Sequence, residues 1–158
     1  DEGEPIIRLQ GTDLTIITLG PTLYSGVSAA NLLKEKYKIS AELIDLRFVN
    51  PLNYDTIISS VKKTGRVILV SDAVERGSIL HNVASNITTF CFDDLDAPPV
   101  VIGSKNWITP AAEMETDFFP QPDWLISAIH ERILPLPNYN PTQNFSREEL
   151  CRLARYGV

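Results

Sequence analysis

The chain has 158 residues, 44% of them hydrophobic, with 14 Lys and Arg against 20 Asp and Glu. That length fits one domain able to bury about two-thirds of the surface its unfolded form exposes. A net charge of −6 and an isoelectric point near 4.9 argue against nucleic acid and anionic membrane as partners, because both demand cationic surface. Lys34, Lys36 and Lys38 alternate with Glu35 and make no basic stripe.

In chain order, Asp1 to Pro5 reads as the cut end of a longer chain. Thr12 to Gly20 is a first strand, rich in β-branched residues and closed by Gly20-Pro21. A helix follows with Leu23, Val27, Ala30, Leu33 and Tyr37 on one face. Ser40 to Arg47 is a second strand. Asp55 to Thr64 is a second helix burying Ile57, Ile58 and Val61, and Gly65 stops it in the left-handed region. Arg66 to Ser71 is a third strand, and a third helix presents Ile79, Val83, Ile87 and Phe90. Pro99 to Gly103 is a fourth strand, with a short strand or single turn at Trp107 to Pro110. Asp123 to Ile133 is an amphipathic helix that turns Leu125, Ala128, Ile129 and Ile133 inward. Strands alternating with helices of this length imply right-handed crossovers. The expected fold is a three-layer α/β/α domain with a mostly parallel, about five-stranded sheet. Pro135 to Pro141 reads as a semi-rigid connector without a packed core. Ser146-Arg-Glu-Glu149 is a capping box that starts a terminal helix, whose few apolar residues, Leu150 and Leu153, call for a partner surface.

Motifs for common chemistries are missing. No G-x-G-x-x-G follows a strand, and there is no P-loop, G-x-S-x-G or H-E-x-x-H. His81, near the start of the third helix and behind Glu75-Arg-Gly77-Ser, suits a polar interface better than catalysis, for it has no nucleophile or ligand at a partner spacing. His130 reads as solvated. Asp93, Asp94 and Asp96 lack the further oxygens that calcium requires and read as an acidic turn. Cys91 reads as buried filler and Cys151 as a stray thiol, and two cysteines so far apart fit a reduced, cytosolic setting. Asp45 and Arg47 alternate along the second strand and so share a face at its carboxyl end, either as an ion pair or hydrogen-bonded corner under the following loop or as part of a subunit contact. Trp107, just beyond the fourth strand, is the residue best suited to anchor an interface. With Pro51 and Pro110, these make the interface candidates Asp45, Arg47, Pro51, Glu75, Gly77, His81, Trp107 and Pro110.

Several segments in order carry a resemblance: Gly11-Thr-Asp-Leu-Thr-Ile-Ile-Thr-Leu-Gly20, Ala29-Ala30 with Leu33, Glu42-Leu-Ile-Asp-Leu-Arg47 with Pro51-Leu52, Thr56 to Gly65, Phe92-Asp-Asp-Leu-Asp-Ala-Pro98, and Pro120-Gln121. Together they resemble the C-terminal domain of transketolase-type, thiamine-diphosphate-dependent enzymes, and most of all the β-subunit half of the decarboxylating component of 2-oxo acid dehydrogenases. The resemblance implies a domain over residues 1–134 and an extension with a short helix over 135–158, like that of bacterial versions fusing both subunits. Two stretches depart from the family: Arg76-Gly-Ser-Ile-Leu80 has one glycine where the family is often glycine-rich, and Trp107-Ile-Thr-Pro110 replaces a more proline-rich loop.

The resemblance further implies that thiamine diphosphate and magnesium are held by other domains of the full-length enzyme, so this fragment is expected to bind neither and to be inactive alone. Its implied partners are further copies or a partner subunit of the same enzyme, and the dihydrolipoyl acyltransferase core, in the bacterial cytoplasm. Two alternatives stand beside it: a flavodoxin-like module with a small ligand at the strand ends, and the same domain of a transketolase or related synthase.

Overall fold

A computed structural model describes residues 2–157; Asp1 and Val158 lie outside the described residues. Four parallel strands form the centre of the sheet: β2 (Leu14–Leu19), β3 (Ala41–Asp45), β4 (Val67–Val74) and β5 (Val100–Ser104). A fifth, β1 (Ile6–Leu9), pairs antiparallel with the outer edge of β3, giving the order β1-β3-β2-β4-β5. The expected class holds, but the fifth strand comes from the N-terminal segment. Trp107 to Pro110 forms no strand and passes through a bend. β1 is half-exposed and short, so its burial pattern carries little alternation from which to read a strand.

The order places β2 beside both β3 and β4. The crossover through α1 (Thr22–Leu32) leads one way from β2, and the crossover through α2 (Asp55–Thr64) returns to the other side. The gap between the carboxyl ends of β2 and β4 is therefore the topological switch point of the sheet. α2 matches its expected bounds. Its Ile57 and Val61 are buried, and Gly65 follows at φ 66°, where a Cβ would be strained. α1 runs on into a wider π turn over Leu33–Tyr37 and ends on Lys38 at φ 60°.

One core cluster, between the sheet and α1 with α5 (Pro122–Arg132), includes Ile16, Leu33, Leu43, Ile68, Leu125 and Ile129. The other, under α2 and α3 (Ile79–Cys91), includes Ile17, Ile44, Ile57, Leu69, Leu80 and Ile87. Each such side chain contributes about 1.5–3 kcal/mol on full burial. α3 is rotated from the expected face. Leu80, Val83, Ala84, Ile87 and Cys91 are buried, while Ile79 and Phe90 are exposed. Both Ile79-Val83-Ile87-Phe90 and Leu80-Val83-Ile87-Cys91 satisfy a helical period, and the sheet selects the second.

The stretch after α5 also differs from expectation. Trp124 to Ile129 are all buried, so α5 has to be covered on its outer side as well as its inner one. Residues 135–145 supply the cover: Leu136 is buried, and Tyr139 and Phe145 pack on the same cluster. His130 is drawn into this contact. Its Nδ1 accepts from the Leu136 amide at 2.8 Å and its ring meets Tyr139 edge-on, in place of the solvated side chain expected. Beyond lies α6 (Arg147–Tyr156), with Ser146 Oγ accepting from the Glu149 amide; the Ser146 amide donates to Asn144 Oδ1 and Glu149 pairs with Arg152, so the expected capping box is half formed.

Candidate functional site at the carboxyl edge of the sheet

Every candidate residue lies at or beyond the carboxyl end of a parallel strand, Asp45 as the last residue of β3 and His81 just inside the helix that follows β4, but the edge is divided in two. On the β3 side, Asp45 is the last residue of its strand, only 8% exposed, and it accepts from Arg8 of β1 at 2.7 and 3.2 Å. Arg47 does not share its face. It lies beyond the strand at φ 58°, donating its amide to Asp45 Oδ1 at 3.2 Å, with its guanidinium over Phe48. Of the two arrangements expected for Asp45 and Arg47, the hydrogen-bonded corner forms through the Arg47 amide, while the ion pair is made by Arg8 instead. Alternation holds only while the backbone stays extended, and here it turns after Asp45. Pro51, after a cis peptide bond, is exposed and lies against Gly3, whose carbonyl accepts from the Asn53 amide at 2.8 Å. The N-terminal segment therefore braces this half of the edge.

The other half lies beyond the reach of the N-terminal segment and leaves its large apolar side chains exposed. The loop after β4 carries Glu75, Arg76 and Gly77, and the Glu75 amide donates to Ser104 at the end of β5 at 3.2 Å. Gly77 is exposed at φ 79°. The structure brings Glu75 and His81 together, with Nε2 3.0 Å from Oε1, both at the surface. Beyond β5, Trp107 is 53% and Ile108 93% exposed, and Met114 follows, also exposed, while Pro110 is half-buried. Lys105 Nζ stands 5.7 Å from the Trp107 ring centre and 4.8 Å from that of Trp124. A tryptophan and an isoleucine left side by side in water are uncompensated in a monomer and typical of contact anchors.

At the switch point the edge holds a cleft of about 370 Å³, lined by Thr22, Ser25, Asp72, Glu115, Phe119 and Gln121 among others. The hydroxyls of Thr22 and Ser25 are committed. Thr22 Oγ1 lies 2.9 Å from the Leu19 carbonyl and 3.0 Å from that of Val70, and Ser25 donates to Pro120 O at 3.1 Å. Two carboxylates and no Lys or Arg line it, so its field repels a diphosphate, and the residues present do not fit that group. Ser71 Oγ is buried without a partner, but Ser71 alternates with Asp72 along β4 and faces the opposite layer. Among the described residues no three His, Cys, Asp or Glu side chains gather as metal ligands. Asp94 stands 3.8 Å from Lys62, and Asp96 pairs with Arg66 at 2.9 Å.

Sequence reasoning missed Glu42. It is 1% exposed on β3, paired with Lys63 of α2, and accepts from the Gly11 amide at 3.4 Å. Burial pushes its pKa up, and hydrogen bonds from Lys63, Ser60 and Gly11 outweigh that and hold the carboxyl below its ordinary value. The signal was available: Glu42 occupies the same strand face as core-facing Ile44. Arg8, Arg76 and Asn106 were missed as well, each because its partner is remote in sequence.

The chain belongs to the transketolase C-terminal domain family, matching it over residues 3–125. It is 40% identical over 118 residues to the pyruvate dehydrogenase E1 component subunit beta of Bacillus subtilis, covering 75% of this chain and 36% of that one. It is 37% identical over 131 residues to the 2-oxoisovalerate dehydrogenase subunit beta of the same organism, covering 82% and 40%. The chain therefore spans about two-fifths of the relatives it matches. In fold it is similar to a split gene transketolase solved as an inactive beta4 tetramer, with a TM-score of 0.60, 22% identity, and coverage of 73% of this chain and 37% of that one. No described helix is long and apolar enough to cross a membrane.

Proposed function

We propose that this domain is the assembly module of a thiamine-diphosphate-dependent 2-oxo acid dehydrogenase of the bacterial cytoplasm, joining protomers or partner subunits and, through them, the dihydrolipoyl acyltransferase core. The full enzyme decarboxylates a 2-oxo acid and reductively acylates a lipoyl group. This domain contributes contacts, and its isolated form is inactive. The observation that carries the reading is the exposed Trp107–Ile108 pair at the open half of the carboxyl edge. The identity to two E1 beta subunits supports the choice of enzyme class. On this reading Glu75, Gly77, His81, Trp107 and Pro110 frame the contact, while Asp45, Arg47 and Pro51 contribute through the braced half.

Two measurements test it. Sedimentation velocity across a concentration series should show self-association of the chain, abolished by Ile108→Asp. Calorimetric titration with thiamine diphosphate and magnesium should give no heat of binding, and tight binding would place the cofactor in this domain and refute the division of labour. The cleft of about 370 Å³ at the switch point favours one second reading, a small-ligand module, since ligands of such sheets bind there. Its two carboxylates direct that search to cationic or neutral ligands, and a hit in a thermal-shift screen lost in Asp72→Asn would establish it.

A further inference from the structure

The segment after α5 is held in two different ways. Residues 135–145 are anchored by burial and by bonds to α5: Leu136 in the core, Tyr139 Oη 2.9 Å from Ser127 Oγ, and Thr142 Oγ1 donating to Asp123 Oδ2 at 2.6 Å. α6 has no buried residue at all. Its carboxyl end is gripped instead by two polar side chains of the open edge. Arg76 Nη2 donates to the carbonyls of Ala154 at 3.2 Å and Leu153 at 3.4 Å, and Asn106 Nδ2 donates to that of Gly157 at 2.6 Å. The last carbonyls of a helix have no partner within it, and a guanidinium there also meets the negative end of the helix dipole. An element fixed by exposed polar contacts opens at far lower cost than one fixed by burial.

Arg76 lies between Glu75 and Gly77, and Asn106 precedes Trp107. The residues that grip α6 are therefore those of the loops assigned above to subunit contact. The geometry points to α6 as a releasable strap. Docked, its carboxyl end covers the Arg76 and Asn106 flank of the loops after β4 and β5, leaves Trp107 and Ile108 exposed, and so narrows the contact offered to a second copy of this chain; released, it frees that flank, with residues 135–145 as its fixed root. This rests on the assembly reading of the same edge.

The test pairs Arg76→Ala with Asn106→Ala in the 158-residue chain, with far-UV circular dichroism and a thermal melt confirming the fold. Amide exchange across Leu150–Tyr156 should accelerate, and the self-association constant should tighten by about fivefold or more. A synthetic peptide spanning residues 144–158, added in trans, should weaken association of the parent chain and leave the double variant, which lacks the grip, unaffected. Unchanged exchange shows that Arg76 and Asn106 do not hold the helix, and faster exchange with unchanged or weaker association shows that the helix does not block the edge; either overturns the strap. Ile108→Asp separates the two proposals. If it abolishes association while release fails to tighten it, only the strap falls. If association persists in Ile108→Asp, or every variant stays monomeric, the assembly reading falls and takes the strap with it.

Discussion

Glu42 and Lys63 form the buried polar point on which stability should turn most sharply. Lys63 is partly exposed and can turn to water when its partner is removed, whereas Glu42 is sealed in. Glu42→Gln should therefore cost about 1–3 kcal/mol, since the amide keeps some of the hydrogen bonds. Lys63→Met leaves a buried carboxylate without its cation and should cost more, about 3 kcal/mol or above. Urea denaturation at pH 7 ranks the two. The sign of the pH dependence follows from the depressed pKa. The contribution of Glu42 is fully present above its ordinary value of 4.5 and is lost as pH falls below that through its folded pKa. The acid limb of the stability curve below pH 4.5 should be shallower in Glu42→Gln than in the parent chain.

Among the elements, α1 depends on how close it can come to the sheet. A Cβ on Gly26 would lie 2.7 Å from Thr18 Cγ2 and 2.9 Å from Leu43 Cδ1. Thr18 cannot move aside freely, because its hydroxyl donates to Ile44 O at 3.0 Å. Gly26→Ala gains about 1 kcal/mol of helix propensity and incurs about 1–3 kcal/mol of overpacking. The net expectation is a lowered thermal midpoint, against the rise that propensity alone would give. The segment after α5 makes the opposite case. A connector free of the core would tolerate any change at Leu136, but with Leu136 buried against α5, Leu136→Ala should cost about 2–4 kcal/mol in urea denaturation.

At the scale of the whole molecule, the sheet order decides which loops can act together. The loops after β4 and β5 are neighbours, tied by the Glu75–Ser104 hydrogen bond, whereas the loop after β3 lies two strands away, beneath the N-terminal segment. Contact residues chosen as one edge therefore separate into a braced half and an open half. Self-association through the open half, as proposed, would make stability depend on protein concentration by mass action. The melting midpoint of the parent chain should rise over a hundredfold concentration range, and that of Ile108→Asp should not; a flat response in the parent would exclude association through this edge.

The alternation of β-branched runs with helical periods was enough to specify the parallel strands of the sheet, the bounds of α2 with its Gly65 stop, and the Ser146 cap of α6, because each depends on residues a few positions apart. The same local logic flagged Trp107 as an anchor, and the structure places it at an exposed bend. What remained for the tertiary structure were choices among partners far apart in the chain: β1 as the fifth strand, Arg8 as the ion-pair partner of Asp45, the face of α3, the packing of residues 135–145 on α5, and the grip of Arg76 and Asn106 on α6. Periodicity states which faces of an element are apolar. Only the packed sheet decides which of two equally periodic faces is covered, and by what.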